Sequence, residues 1–188
     1  MDKRIERTQA AIEGAFLKLL NEKSIGKITV CEVTSLAGVN RSTFYAHYHD
    51  VYDLKRKIMT QVKGDLDGQL SFEGPNLTMG AFKVSTMEMI DYLNDNRERL
   101  QYLLSTDDGN QFFFDLVQDR IMQSDTISGI EADDRNEAQV TAVVYGVAGL
   151  MRDWVFDRVT LTEAELTDLV AELAYPTVSA QLEALARN

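Results

Sequence analysis

The sequence predicts an all-α protein, a three-helix head joined to a larger helical body, with about nine helices in all. Only two prolines occur in 188 residues, while Leu, Ala, Glu, Met and Gln are abundant, which favours helices throughout. Apolar residues recur at three- and four-residue steps along most of the chain. Two segments also open with a Thr followed three residues later by a Glu, the form of a capping box.

Taken in order, residues 3–22 form an amphipathic helix with Ile5, Ala11 or Ile12, Ala15, Phe16, Leu19 and Leu20 on one face and Lys3, Arg4, Arg7 and Lys18 among the polar positions. A connector, 21–27, carries Gly26, and Ile25 and Ile28 pin it to the core. Thr29 with Glu32 starts a second helix, in which Val30, Val33, Leu36 and Ala37 repeat at helical spacing. Gly38 supplies the left-handed conformation that ends a helix. Asn40 is a good N-cap for a third helix, on which Phe44 and Tyr48 share the inward face. Arg41, Ser42, Thr43, Tyr45 and His47 are left pointing outward. Two short helices around a tight turn, the second with a polar face, are the layout of a helix-turn-helix.

Asp50 begins a fourth helix, 51–70, with Val51, Leu54, Ile58, Val62 and Leu66 as its seam. Residues 71–76, with Gly74-Pro75, read as a loop. Further helices are expected over 77–95, 97–104, a segment capped by Asn110 that carries Phe112, Phe113 and Phe114, and 137–158. A polar stretch with Gly129 precedes the 137–158 helix. Thr162 and Glu165 start the last helix, which Pro176 should kink or interrupt. The expected division is a head over 1–50, with the linking helix beginning at 51, and a body over 51–188.

The net charge of −11 at first argues against a nucleic-acid partner. Its distribution reverses that reading, because residues 1–63 carry +4 and residues 64–188 carry −15. A basic head on an acidic body suits a protein that places one end on phosphate. The N-terminus lacks a signal-peptide pattern, and no stretch approaches 18 uninterrupted apolar residues. The single cysteine, Cys31, excludes an internal disulfide and fits a reducing cytoplasm. It reads as a plain, partly buried thiol.

The pattern Val33-x-x-Leu36-Ala37-Gly38-Val39-x-x-Ser42-Thr43-Phe44-Tyr45-x-His47-Tyr48 resembles that of TetR/AcrR-family transcriptional regulators, over roughly residues 4–63. Beyond residue 63 the resemblance is architectural. It implies a homodimeric DNA-binding regulator, a repressor of TetR type on a palindromic operator, released by a small apolar or aromatic ligand. It places Arg41, Ser42, Thr43, Tyr45 and His47 at the DNA-facing positions. Arginine can pair bidentately with guanine, hydroxyls reach bases or phosphates, and Tyr and His reach phosphates. Thr29, at a helix N-terminus, is expected to meet a phosphate oxygen, and Lys55 to add another contact. Where the family often has a backbone-contacting lysine this chain has Val51, so His49, Tyr52 or Lys55 would have to replace it.

For the body, Phe82, Met89, Phe113, Met122, Tyr145, Met151 and Trp154 are the candidates to line a ligand pocket, although a helical core would use the same residue types. Val143, Val147, Leu150, Trp154, Leu169 and Leu173 are the candidates for a dimer interface between the 137–158 helix and the last one. The alternative is a co-regulator or activator acting through a protein partner without its own small-molecule ligand. No metal or cofactor is expected: His47 and His49 diverge on a helix and no third ligand lies near. No nucleophile elbow, phosphate-cradling loop or paired-carboxylate motif points to an enzyme.

Overall fold

A computed structural model describes residues 3–67, 77–122 and 134–185. Nine α-helices and one 3-10 turn make up these residues, with no strand among them. The helices are α1 (Lys3–Glu22), α2 (Val30–Ala37), α3 (Arg41–Tyr45), α4 (Val51–Asp67), α5 (Met79–Asp95), α6 (Arg97–Leu104), α7 (Asp107–Met122), α8 (Asp134–Val155) and α9 (Glu163–Leu185). The end expected for the fourth helix beyond residue 67, the 71–76 loop and the polar stretch around Gly129 lie outside the described residues.

Two apolar clusters hold these helices. The head cluster joins Ile12, Phe16 and Leu20 of α1 to Val33, Phe44 and Tyr48, and to Val51, Leu54 and Ile58 of α4. The body cluster takes Val62 and Leu66 from the same α4 and adds the inner faces of α5 to α9. The single seam of α4 therefore serves two cores, passing from one to the other between Ile58 and Val62. Burying Phe44, which is fully enclosed, contributes about 2–3 kcal/mol.

Lys55 fastens the same helix to the body. Its side chain is enclosed, and its ammonium donates to Thr106 Oγ1 at 2.9 Å and Asp108 Oδ1 at 2.5 Å, at the corner between α6 and α7. Partial burial pushes the Asp108 carboxyl up, but the hydrogen bonds from Lys55 and Thr106 outweigh it and hold it below the usual range. Glu13 of α1 makes a second tie: it accepts from the Tyr48 hydroxyl (3.3 Å) and faces Arg99 of α6 (3.7 Å). Burial pushes the Glu13 carboxyl up, against the pull of Arg99 and Tyr48.

Several expectations are corrected. Leu36 is 54% exposed, because the inner face of α2 is narrow and is filled by Val33 and Thr34. Asn110 lies inside α7, since Thr106 starts that helix by accepting from the Gly109 amide on Oγ1 and the Asn110 amide on its carbonyl. The eighth helix begins at Asp134, a turn earlier than the pattern suggested, and ends at Val155. Pro176 neither ends nor interrupts α9. It lies on the outer side of the helix, where a carbonyl left without an amide partner can turn to water. The capping box at Thr162 and Glu165 forms as expected.

The α6–α7 corner is closed tightly around Gly109, where an added Cβ would fall 1.9 Å from the Leu103 carbonyl oxygen. Gly109→Ala is therefore expected to cost about 3 kcal/mol or more, at the upper end of overpacking effects. Urea unfolding of the two proteins checks it, and an unchanged midpoint would contradict this packing.

Candidate nucleic-acid interface

The head presents α3 on a turn fixed at both ends. At the close of α2, Gly38 adopts φ 67°, and the Val39 amide reaches back to the Thr34 carbonyl at 3.0 Å. A side chain at that φ is strained, which is why glycine stands there. Asn40 then caps α3, its Oδ1 accepting from the Thr43 amide (2.7 Å), the Thr43 hydroxyl (2.7 Å) and the Ser42 hydroxyl (2.6 Å). Phe44 and Tyr48 anchor the short helix in the head core, with ring centroids 5.5 Å apart.

Arg41, Ser42 and Tyr45 are exposed on the outer face of α3, and Thr43 and His47 are half-buried beside them. Tyr45 meets Phe44 edge-on at 5.6 Å, so its ring is braced while 58% of the residue stays open. The Ser42 and Thr43 hydroxyls give their protons to Asn40 and so offer lone pairs outward, the complement of a base amino group. Arg41 lies against the Cys31 thiol, a side-chain hydrogen bond that raises its pKa further and leaves it a fixed cation. Cys31 itself is exposed rather than partly buried.

Thr29 is at the exposed N-terminus of α2, with both of its donors already engaged. Its hydroxyl donates to Glu32 Oε2 (2.8 Å), and its amide donates to the same carboxylate (2.9 Å). Lys23, 2.5 Å from Glu32, and the Thr29 contacts bring that carboxyl down to about 2. A phosphate arriving at Thr29 therefore meets a carboxylate already in place, and must displace it to gain the hydroxyl proton.

Lys55 does not reach this face. It is 3% exposed and bound to the α6–α7 corner, so the phosphate contact expected of it is withdrawn. Val51 is 6% exposed and belongs to the head core, which leaves the exposed His49 and Tyr52 of the three replacements considered. A fourth residue escaped the sequence reading. The Lys57 ammonium donates to the His47 carbonyl (2.6 Å) and lies 5.2 Å from the Tyr48 ring centroid, placing a half-exposed cation at the C-terminal end of the α3 turn. Its position four residues after Asp53, one helical turn along α4 and within 3.5 Å of that carboxylate, was the available signal.

The body candidates divide. Phe82, Met89 and Met151 line a cavity of about 30 Å³ together with Ser85, Thr86, Val117, Val147, Val170, Ala174 and Val178. Phe113 and Trp154 are instead filled into the core, and the Trp154 indole donates to the Leu161 carbonyl at 2.8 Å. Tyr145 is 55% exposed on the outer side of α8 and lies tilted against Phe114, ring centroids 5.0 Å apart. Met122 ends α7, and its side chain lies outside the described residues. Of the interface candidates, Val147 and Trp154 point inward, 2% and 4% exposed. Val143, Leu150 and Leu169 are half-buried and Leu173 is exposed, leaving an apolar outer face on α8 and α9. These inward positions follow from the wheel of α8, whose buried stripe runs Val140, Val144, Val147, Ala148, Met151 and Val155.

Among the described residues, no group of three or more His, Cys, Asp or Glu side chains could hold a metal, and no helix is long and apolar enough to cross a membrane. No family model matches the chain. Over 106 residues, half of this chain, it is 27% identical to an uncharacterized HTH-type transcriptional regulator, YxbF, of Bacillus subtilis (strain 168). The match spans 28% of that relative's length. Among solved structures it is similar to a TetR transcriptional regulator from Streptococcus agalactiae 2603V, at 22% identity and a TM-score of 0.64, covering 92% of this chain and 96% of that one. It is also similar to a TetR-family transcriptional regulator from Streptomyces coelicolor, at 17% identity and a TM-score of 0.63, covering 97% and 87%. The chain has the all-α fold of the TetR-family transcriptional regulators.

Proposed function

We propose that the protein is a homodimeric DNA-binding transcriptional regulator, a repressor on a palindromic operator, released by a small apolar or aromatic ligand. The observation that carries the reading is the outer face of α3, where Arg41 and Tyr45 stand exposed on a helix fixed by Asn40, Gly38 and Phe44. Such a helix enters the major groove with its side chains on base edges and phosphates. The +4 head adds attraction to phosphate, while the −15 body is repelled from it.

Two α3 helices must sit about 34 Å apart to read two half-sites, which requires a dimer. The outer face of α8 and α9, with Tyr145, Leu150, Leu169 and Leu173, is the surface suited to that pairing. Release follows if a ligand in the Met89–Met151 cavity moves α5 and α9, shifts α4 through the body core, and changes the spacing of the heads. A few kcal/mol of differential affinity is enough for such a population shift. At about 30 Å³ the cavity has room for one or two waters, whereas an aromatic ring needs about 150 Å³. A ligand of that class must therefore widen it. The small volume also favours the second reading, a regulator governed by a protein partner.

A labelled fragment of the gene's own upstream DNA should be retarded by the purified protein, with affinity falling steeply as salt rises. Arg41→Ala with Tyr45→Ala should weaken it at least about tenfold, and unchanged retardation would sink the site assignment. For the dimer, Leu173→Asp places a carboxylate in the apolar face. Sedimentation should then move from dimer to monomer and palindrome affinity should fall, with circular dichroism unchanged. A variant that remains dimeric would rule out this face as the interface.

A further inference from the structure

Of the eight large apolar residues that stand exposed among the described ones, Tyr145 and Leu173 lie on the proposed dimer face, and Leu36, Tyr45 and Tyr52 belong to the head. Ile5 is on α1. That leaves Val84 and Met87, 53% and 46% exposed, three residues apart on α5. They form one wall of an open groove of about 380 Å³ whose other wall is α9, with Ala164 and Thr167 likewise three apart. The Thr167 hydroxyl is engaged by the Glu163 carbonyl at 2.7 Å, so this wall offers no proton to a guest. Asp91, Glu163 and Asp168 ring the groove, opposed by one cation, Lys83, itself 2.6 Å from Asp168. Leu169 and Leu173 leave α9 in a different direction, Leu169 being about 100° round the helix from Asp168.

We infer that the α5–α9 groove is a docking surface for a basic amphipathic helix of a partner protein, its apolar side chains seated on Val84 and Met87 and its Lys or Arg side chains on Asp91 and Glu163. The spacing selects a helix. Both walls repeat at one helical turn, the interval at which a guest helix presents anchors at i and i+3 or i+4. The charge selects a basic guest. Three carboxylates surround the groove against one already-paired ammonium, and the body as a whole carries −15, which steers a cation-bearing segment toward it and repels an acidic one. This surface is distinct from α3 and from the outer face of α8 and α9, so a guest can bind while DNA is held.

The test uses the full-length protein and three labelled synthetic helices of about fourteen residues: Leu anchors with Lys flanks, the same anchors with Glu flanks, and Lys flanks with Ser in place of Leu. At physiological salt, fluorescence anisotropy should show binding of the first alone. Met87→Asp and Asp91→Lys should each weaken it about tenfold or more. Asp115→Lys, which makes the same charge change at an exposed site on α7, should leave it unaltered. Equal binding of the Leu and Ser peptides, or equal loss in Asp115→Lys and Asp91→Lys, would reduce the effect to unspecific charge and overturn the proposal. Dissociation of the dimer by Met87→Asp would assign the groove to a second copy and overturn it too. Retardation of upstream DNA by the same variants separates this outcome from failure of the DNA-binding reading.

Discussion

The structure depends on α4 being shared. A helix that buried its seam in one core could swing relative to the other; this one gives Val51, Leu54 and Ile58 to the head and Val62 and Leu66 to the body. Dense packing makes such a shared element transmit displacement, because interiors tolerate few voids and little strain. Lys55 adds direction to that coupling. An ammonium with 3% exposure is stable there only while Thr106 and Asp108 remain within reach. Movement at the α6–α7 corner must therefore either carry α4 along or leave a buried cation without partners.

The turn between α2 and α3 follows a different logic, in which local groups satisfy one another. Asn40 takes three protons on one oxygen, and Glu32 takes both the amide and the hydroxyl of Thr29. Preorganisation of this kind lowers the entropy lost on binding. It also fixes polarity: the Ser42 and Thr43 hydroxyls are left with lone pairs to offer, while Arg41, Tyr45 and Lys57 are exposed donors. The Glu32 carboxylate, ionised down to about pH 2, keeps the α2 N-terminus from being a simple anion site.

What was legible in the sequence was whatever depends on neighbours within about one helical turn. The capping boxes at Thr29 and Thr162, the αL glycine at 38 and the inward pair Phe44 and Tyr48 are all of this kind, and each is present. What was illegible depended on contacts beyond one helical turn. Lys55 reads as one more cation on a basic head until Asp108, 53 positions on, is brought to it. Trp154 reads as a pocket or interface residue until the Leu161 carbonyl is found to hold its indole. Pro176 does not interrupt α9 for a related reason: the cost of a lost hydrogen bond depends on whether water can replace it, and burial is not written in the local pattern.

The body's two recesses differ in what they can do without rearrangement. The inner cavity is walled by packed side chains from α5, α7, α8 and α9, and its 30 Å³ is smaller than any aromatic guest. Filling it costs displacement of helices that also hold α4. The α5–α9 groove is already open, with exposed Val84 and Met87 on its wall, so occupying it costs little reorganisation and covers apolar surface that now faces water. The two share α5 and α9, with Phe82 and Ser85 turned into the cavity and Val84 and Met87 turned out to the groove. A guest that widens the cavity therefore displaces helices whose outer side chains wall the groove, and by linkage a groove guest that prefers one arrangement biases the cavity in return.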